Sequence, residues 1–197
     1  MLPRQPLLLA FAALAGFPAV VFAHPGHESG HGLYDSVLHP LSGLDHLLAI
    51  VVISLLAVQI GGRAVWAGPM AYLVALATGT FAAAGGLAFG GVEAVAAASL
   101  LVAGAVLLSG RGGSAALFAL LPCIGFVHGV AHTAALGTQA VFSDGLWGML
   151  IGSTLLCVAT AGAGMMFSRF GQTNLLSYVC RAAGTVATIA AVLLLVA

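Results

Sequence analysis

The apolar residues of this chain form long runs, without the polar and apolar alternation that is typical of water-soluble helices and strands. Six of these runs come close to the ~20 residues that a helix needs to cross a bilayer. They cover residues 40–60, 65–88, 92–110, 115–136, 145–167 and 175–197. The connections between them are short and rich in glycine. This pattern predicts a compact bundle of six transmembrane helices.

An earlier apolar stretch, in residues 1–23, has a different pattern. It contains Arg4, an apolar segment at 7–14 and the small-residue ending Val21-Phe22-Ala23, which together are typical of a secretory signal peptide. An uncleaved first helix is the alternative interpretation. Cleavage would place His24 at a mature N-terminus outside the membrane. We then expect a His-rich outer segment at 24–37 and a transmembrane domain at 38–197.

The composition supports membrane insertion and excludes several other classes of protein. The chain is 61% hydrophobic and 5% charged, and it contains no lysine, so a soluble domain could not cover its surface. Its zero net charge and lack of basic clusters argue against nucleic acid as a partner. Cys123, Cys157 and Cys180 lie in apolar runs without a C-x-x-C pair, which predicts buried, unpaired thiols. The sequence therefore predicts an all-α integral membrane protein.

Orientation follows from the arginines. With an outer N-terminus, the connections that carry Arg63, Arg111 and Arg169 all face the cytoplasm, as the positive-inside tendency expects. The outer connections carry no basic residue. Three spans followed by three also place the first and fourth spans in opposite directions, as an inverted repeat would.

Small residues four apart predict close contact between helices. Such pairs let two backbones approach in lipid, where apolar side chains alone provide little drive for association. The pairs are Gly86/Gly90, Gly125/Gly129 and Gly148/Gly152.

Histidine carries the main functional signal, because all seven histidines fall into three clusters. The clusters are His24, His27 and His31 in the outer segment, His39 and His46 with Asp45 at the start of the first span, and His128 and His132 in the fourth span. The last two clusters reach the outer half of the membrane at similar depth, within about 6–12 Å of the surface. Glu93, at the outer end of the third span, could join them.

The spacing within each cluster suits an ion site. His128 and His132 are four apart, so they lie on consecutive turns of one helix face. His39 and His46 are two turns apart, and Pro40 and Gly43 between them predict a distorted helix that brings them closer. Asp45 is either a direct ligand or the carboxylate that orients an imidazole.

Imidazole and carboxylate ligands favour nickel, cobalt, zinc or copper(II) over magnesium and calcium. The N-terminal amine and the histidines of the outer segment would form an external capture site. The structural alternative is an interfacial or hydrogen-bonded set of histidines. Ionisable groups inside membrane helices cost on the order of 2–3 kcal/mol each, however, and usually face a cavity or one another.

Transport is the function that this placement favours. Almost no residues lie outside the predicted spans, which leaves no room for a catalytic domain, and no G-x-x-x-x-G-K-[ST] nucleotide motif is present. We expect no resident cofactor, with the metal ion as substrate and the lipid bilayer as surroundings.

The segment HPLSGLDH, residues 39–46, resembles the HPxxGxDH signature of the HupE/UreJ family of secondary nickel and cobalt permeases. FVHGVAH in the fourth span and the region 93–99 support the resemblance by position. It implies uptake across a bacterial inner membrane, with His39, Asp45 and His46 required and with His128 and His132 contributing. It also implies an indirect link to nickel enzymes such as hydrogenase or urease. The family's HGxAHGxE pattern is incomplete, because Thr133 and Ala135 follow His132 without the glutamate.

Three alternatives use the same histidines. An intramembrane hydrolase would hold zinc and activate water. A haem-binding membrane protein would need one axial ligand from His46 and another from His128. A metal sensor or buffer would bind the ion without moving it.

Overall fold

The computed structural model describes residues 33–110, 115–136 and 144–196. These ranges contain seven α-helices and no strand: α1 Leu33–Ser42, α2 Leu44–Ile60, α3 Ala64–Ala84, α4 Val92–Ser109, α5 Ala115–Leu136, α6 Asp144–Arg169 and α7 Thr173–Val196. The predicted signal peptide and the three histidines of the outer segment lie outside the described residues. The all-helical class predicted from the sequence is confirmed for these ranges.

Several helices are long and apolar enough to cross a membrane. Four of them, α3, α4, α6 and α7, meet this condition alone, and α1 together with α2 would provide a fifth span. The apolar part of α5, Phe118–Thr133, is shorter. The protein is therefore a multi-pass helical membrane protein, and the complete six-span bundle stays a prediction.

One face of α3 exposes large apolar side chains. Trp66, Met70, Val74 and Phe81 are each at least half exposed, although all are large and apolar. Their spacing of four and seven places them on one face of the helix. A continuous exposed apolar face is unfavourable in water and is satisfied by lipid tails.

The first predicted span is broken into two helices. α1 begins at Leu33, inside the segment that we assigned to the outer side, and ends at Ser42; α2 begins at Leu44 after a bend of 70°. Gly43 between them has extended backbone angles, with φ −95° and ψ 115°. Its carbonyl accepts a hydrogen bond from the Leu47 N–H at 3.0 Å, which starts α2. Pro40 lies inside α1, where it removes one backbone donor.

α2 is the central helix of the bundle, because it contacts all six of the others. Between Leu48 and Ala57 every residue except Val51 is buried. A helix that is apolar on every side and surrounded by other helices has no lipid-facing surface. Polar atoms on α2 are therefore screened from lipid along most of its length.

Two of the three predicted glycine pairs hold helices together. At Gly125 and Gly129 of α5, an added Cβ would overlap the backbone of Tyr72 and Leu76 in α3. Gly148 and Gly152 of α6 meet the backbone of α1 in the same way. The prediction for Gly86/Gly90 was wrong, because both residues lie in the turn between α3 and α4 with nothing within 4 Å of a Cβ.

The most extensive helix contacts are those of α3 with α5, α1 with α6, and α4 with α7. In an inverted repeat the first three spans correspond to the last three. Here α1 with α2 would correspond to α5, α3 to α6, and α4 to α7. Under that correspondence the α3–α5 pair becomes the α6–α1 pair, and the α4–α7 pair is unchanged. The contacts follow the pattern that such a repeat requires.

Candidate metal centre

Four histidines from three helices meet near one end of α2. His46 of α2 lies against His132 of α5, with ring centroids 3.6 Å apart, and against His128 of α5 at 5.1 Å. His39 of α1 is 5.0 Å from the His132 ring and 6.5 Å from the His46 ring. The structure thus brings together the two membrane clusters that the sequence predicted at similar depth. We call these four residues the histidine cluster.

The break at Gly43 is what brings His39 into the cluster. In an uninterrupted helix, residues seven apart are separated by about 10.5 Å along the axis. The bend between α1 and α2 places the His39 and His46 rings 6.5 Å apart. The distortion predicted from Pro40 and Gly43 is therefore present, and it is larger than a distorted turn.

Three of the four rings are held through Nδ1. His128 Nδ1 lies 3.0 Å from the Ile124 carbonyl oxygen, which can only accept, so the ring hydrogen is on Nδ1. His46 Nδ1 lies 3.4 Å from Asp45 Oδ2, and His132 Nδ1 lies 3.3 Å from His39 Nε2. A carbonyl or carboxylate on one ring nitrogen is the usual support of a metal-binding imidazole, because it fixes the tautomer and the ring orientation.

The opposite nitrogens of the same three rings are unsatisfied. Nε2 of His46, of His128 and of His132 is buried and has no hydrogen-bond partner among the described residues. With hydrogen on Nδ1, as for His128, Nε2 carries a lone pair directed into the protein. A buried polar atom without a partner costs about 1–3 kcal/mol, so three of them in one cluster of rings require an explanation.

The cluster is not a finished ligand set. Within the described residues, no three His, Cys, Asp or Glu side chains are arranged so that they could hold a metal ion as they stand. The close contact of the His46 and His132 rings explains this, since touching rings do not direct their lone pairs at one point. An entering cation would have to separate them.

Hydrogen bonding limits the charge that this cluster can carry. A hydrogen bond between His39 Nε2 and His132 Nδ1 needs one donor and one acceptor, so at least one of the two rings is neutral. His128 and His132 are also almost completely buried, at 1% and 5% exposure. Neutral imidazole is the form that binds metal ions.

Comparison with known proteins identifies the family. A family model described as HupE / UreJ protein matches residues 12–194. The chain belongs to the HupE/UreJ family. Among curated proteins, Protein HupE of Rhizobium leguminosarum bv. viciae is 32% identical over 186 residues, which cover 94% of this chain and 94% of that protein. No solved structure matches the chain. The resemblance found from residues 39–46 is confirmed.

The acidic residues of this HupE/UreJ protein occupy different positions around the cluster. Asp45 adjoins His46, and its side chain is 43% exposed, as expected for a carboxylate at the entrance of a site. Glu93 is exposed in the first turn of α4, and the contacts found in the described part of the chain do not join it to the histidines. His24, His27 and His31 lie outside the described residues.

Sequence reasoning missed two parts of the polar interior of this HupE/UreJ protein. The Ile124 carbonyl acts through the backbone, and no side-chain pattern could reveal it. The second part is a set of buried polar groups deeper in the bundle, including Ser54 and Tyr72, whose hydroxyls have no partner. The sign of this set in the sequence was a polar residue within an apolar run, because Ser54 lies eight residues after His46. The interpretation of Cys123 as buried was wrong, because its side chain is exposed, whereas Cys157 and Cys180 are buried.

Proposed function

We propose that this protein is a secondary permease for the uptake of a divalent transition-metal cation, with nickel as the first choice and cobalt as the second. The observation that carries the proposal is the state of the histidine cluster: Nε2 of His46, of His128 and of His132 is buried without a partner, while each Nδ1 is engaged. Buried imidazoles with one ring nitrogen supported and the other without a partner are suited to bind a cation.

The chemistry of the cluster favours the metals that the family suggests. Imidazole nitrogen binds nickel, cobalt, zinc and copper(II), whereas magnesium and calcium need shells of oxygen ligands. The relative from Rhizobium leguminosarum bv. viciae extends over nearly the whole chain, so the likeness is not confined to the short motif. Imported nickel would supply enzymes such as hydrogenase or urease without direct contact with them.

Uptake needs no chemical fuel in this arrangement. In the proposed orientation the cluster lies in the outer half of a bacterial inner membrane, with the N-terminus outside. A membrane potential of about 150 mV, negative inside, favours entry of a divalent cation by about 7 kcal/mol. That free energy is enough to concentrate a dilute ion without ATP.

The cluster also assigns roles to its members. His128 and His132 bind the ion from α5, and His46 binds it from the central helix. Asp45 orients the His46 ring and adds a negative charge at the entrance. His39 holds the His132 ring until the ion arrives.

The test is accumulation of radioactive nickel by cells that make the protein, at low micromolar nickel and millimolar magnesium. His46→Ala and His128→Ala should each abolish uptake at equal membrane abundance. Asp144→Asn is the matched control, because Asp144 is an exposed carboxylate at the start of α6 outside the cluster. Cobalt should compete with nickel, and excess magnesium should not.

Two results would contradict the proposal. Wild-type uptake no higher than that of empty cells would exclude nickel as the substrate, and the same assay would then be repeated with cobalt, zinc and copper. Loss of a hydrolytic activity in His128→Ala, without any loss of metal uptake, would favour the intramembrane zinc hydrolase instead.

A further inference from the structure

A second group of buried polar atoms lies deeper in the bundle than the histidine cluster. Ser54 of α2, Tyr72 of α3 and Ser153 of α6 are all completely buried, and the hydroxyl of each has no hydrogen-bond partner in the part of the chain that the structure describes. Cys157 of α6, one turn beyond Ser153, is 2% exposed. The three helices that carry these groups are in mutual contact. This concentration of unsatisfied groups is unusual in an apolar bundle.

The two serines differ from other hydroxyl residues of this protein. Thr78, Thr154 and Thr185 each donate to the carbonyl four residues earlier in their own helix, at 2.7–2.8 Å. That bond is the usual solution for a hydroxyl inside a membrane helix. Ser54 and Ser153 do not make it, so their hydroxyls stay available to something else.

The positions of these groups connect them with the histidine cluster. Ser54 follows His46 by eight residues on α2, which is about 12 Å further along the helix. The Cys157 side chain lies beside the Ser54 side chain. Tyr72 lies on α3, which packs against both α2 and α6. Polar atoms therefore continue from the histidines into the middle of the bundle along the central helix.

We propose that Ser54, Tyr72, Ser153 and Cys157 form an inner contact point for the transported cation, reached after it leaves the histidine cluster. The proposal rests on the proposed permease function and extends it to the next step of the path. Further along α2, Gln59 Oε1 is also buried without a partner, and Cys180 lies beside that side chain. Buried polar side chains therefore continue toward the other end of α2.

The ligand atoms of the inner contact point suit a site that binds an ion only transiently. Conduction needs sites that bind strongly enough for entry and weakly enough for departure. Neutral hydroxyl oxygens and a thiol sulfur replace part of a hydration shell without holding the ion strongly. Sulfur also favours borderline and soft transition metals over magnesium and calcium. The inner contact point would therefore favour the same transition metals over magnesium and calcium as the histidine cluster does.

A purely structural role for these side chains predicts a different effect of their removal on transport. Removal of a buried hydroxyl that has no partner leaves stability unchanged or raises it, because the unpaired group is itself unfavourable. Ser54→Ala should then be harmless. A contact point for the ion predicts the same thermal stability for Ser54→Ala, but it predicts that this variant loses transport.

The experiment measures initial rates of nickel uptake at limiting nickel, together with nickel binding and thermal unfolding of the detergent-purified full chain. Ser54→Ala and Cys157→Ala should each lower uptake about tenfold, a loss that corresponds to ~1.4 kcal/mol at the contact. Nickel binding at the histidine cluster should stay at the wild-type level. Thr154→Ala and Cys123→Ala are the controls, because they remove an internally bonded hydroxyl and an exposed thiol, and they should transport normally.

The outcomes separate this proposal from the proposed function. Wild-type protein that accumulates no metal would overturn both. Normal wild-type uptake that both variants retain in full would overturn the inner contact point alone. If Ser54→Ala loses thermal stability along with uptake, Ser54→Cys decides, because it keeps a ligand atom at the same place. Recovered uptake in Ser54→Cys supports the contact point, and unrecovered uptake in a stable protein overturns it.

Discussion

Replacement of Asp45 by asparagine tests the histidine cluster most directly, because it removes one charge and keeps the side-chain shape. Asp45 Oδ2 lies 3.4 Å from His46 Nδ1, on the side of the ring opposite the unsatisfied Nε2. A cation bound to Nε2 at a usual metal–nitrogen distance of about 2.1 Å would lie about 7 Å from the carboxylate.

The size of the effect follows from Coulomb's law. A divalent cation and a carboxylate about 7 Å apart attract by about 5 kcal/mol at an effective dielectric constant of 20, and by about 1 kcal/mol at 80. The Asp45 side chain is 43% exposed, which favours the lower part of this range. We therefore expect a loss of about 2 kcal/mol, which is about thirtyfold in nickel affinity. Partners that support metal-binding histidines typically contribute 10–100-fold, in agreement with this value.

Titration calorimetry of nickel into the detergent-purified protein measures this loss, and uptake at limiting nickel should fall in parallel. Asp144→Asn is the control, since it removes an exposed carboxylate outside the cluster. An affinity of Asp45→Asn within about twofold of the wild-type value would refute the reasoning. It would mean that the ion does not bind to the His46 ring.

Three further predictions follow from the same structure. Gly129→Ala should lower the free energy of unfolding by about 1–3 kcal/mol, because its Cβ would overlap the Leu76 backbone; thermal unfolding in detergent measures this, and Gly162→Ala, which meets nothing within 4 Å, should be neutral. Nickel affinity should fall as the solution is acidified, because protonated imidazole has no free lone pair; calorimetry from neutral pH to the most acidic pH at which the protein stays folded, if it shows no change, would exclude histidine as the main ligand. Gly43→Ala should reduce nickel uptake at normal membrane abundance, because the added Cβ would lie 3.0 Å from Asp45 Oδ1 and would displace that carboxylate; uptake counted per molecule in the membrane checks it.

The helical class and the meeting of the two histidine pairs could be predicted from the sequence. Long apolar runs determine membrane helices almost alone, because an unpaired backbone is too costly in lipid. The approach of His46 to His128 and His132 followed from counting residues from the ends of two antiparallel spans. Such counting depends only on the fixed rise of a helix.

Other features depend on three-dimensional contacts that no local pattern encodes. Pro40 and Gly43 indicated distortion, but the bend of 70° also requires a surface for α1, which the glycines of α6 provide. Gly86 and Gly90 had the same spacing as the true contact pairs and lie in a turn. Ser54 looked like an ordinary small residue of a buried helix. Only its missing hydrogen bond distinguishes it.

The glycine contacts between α3 and α5 have a consequence for motion in the cluster. Gly125 and Gly129 bring the two backbones into close contact, so we expect the two helices to move together and to carry His128 and His132 with them. His39 and His46 belong to α1 and α2, and the extended residue Gly43 connects these two helices along the chain. We expect a hinge movement at Gly43 to move α1, and with it the His39 ring, away from the rings on α2 and α5, which would open one side of the cluster. The α5 rings form its stationary wall.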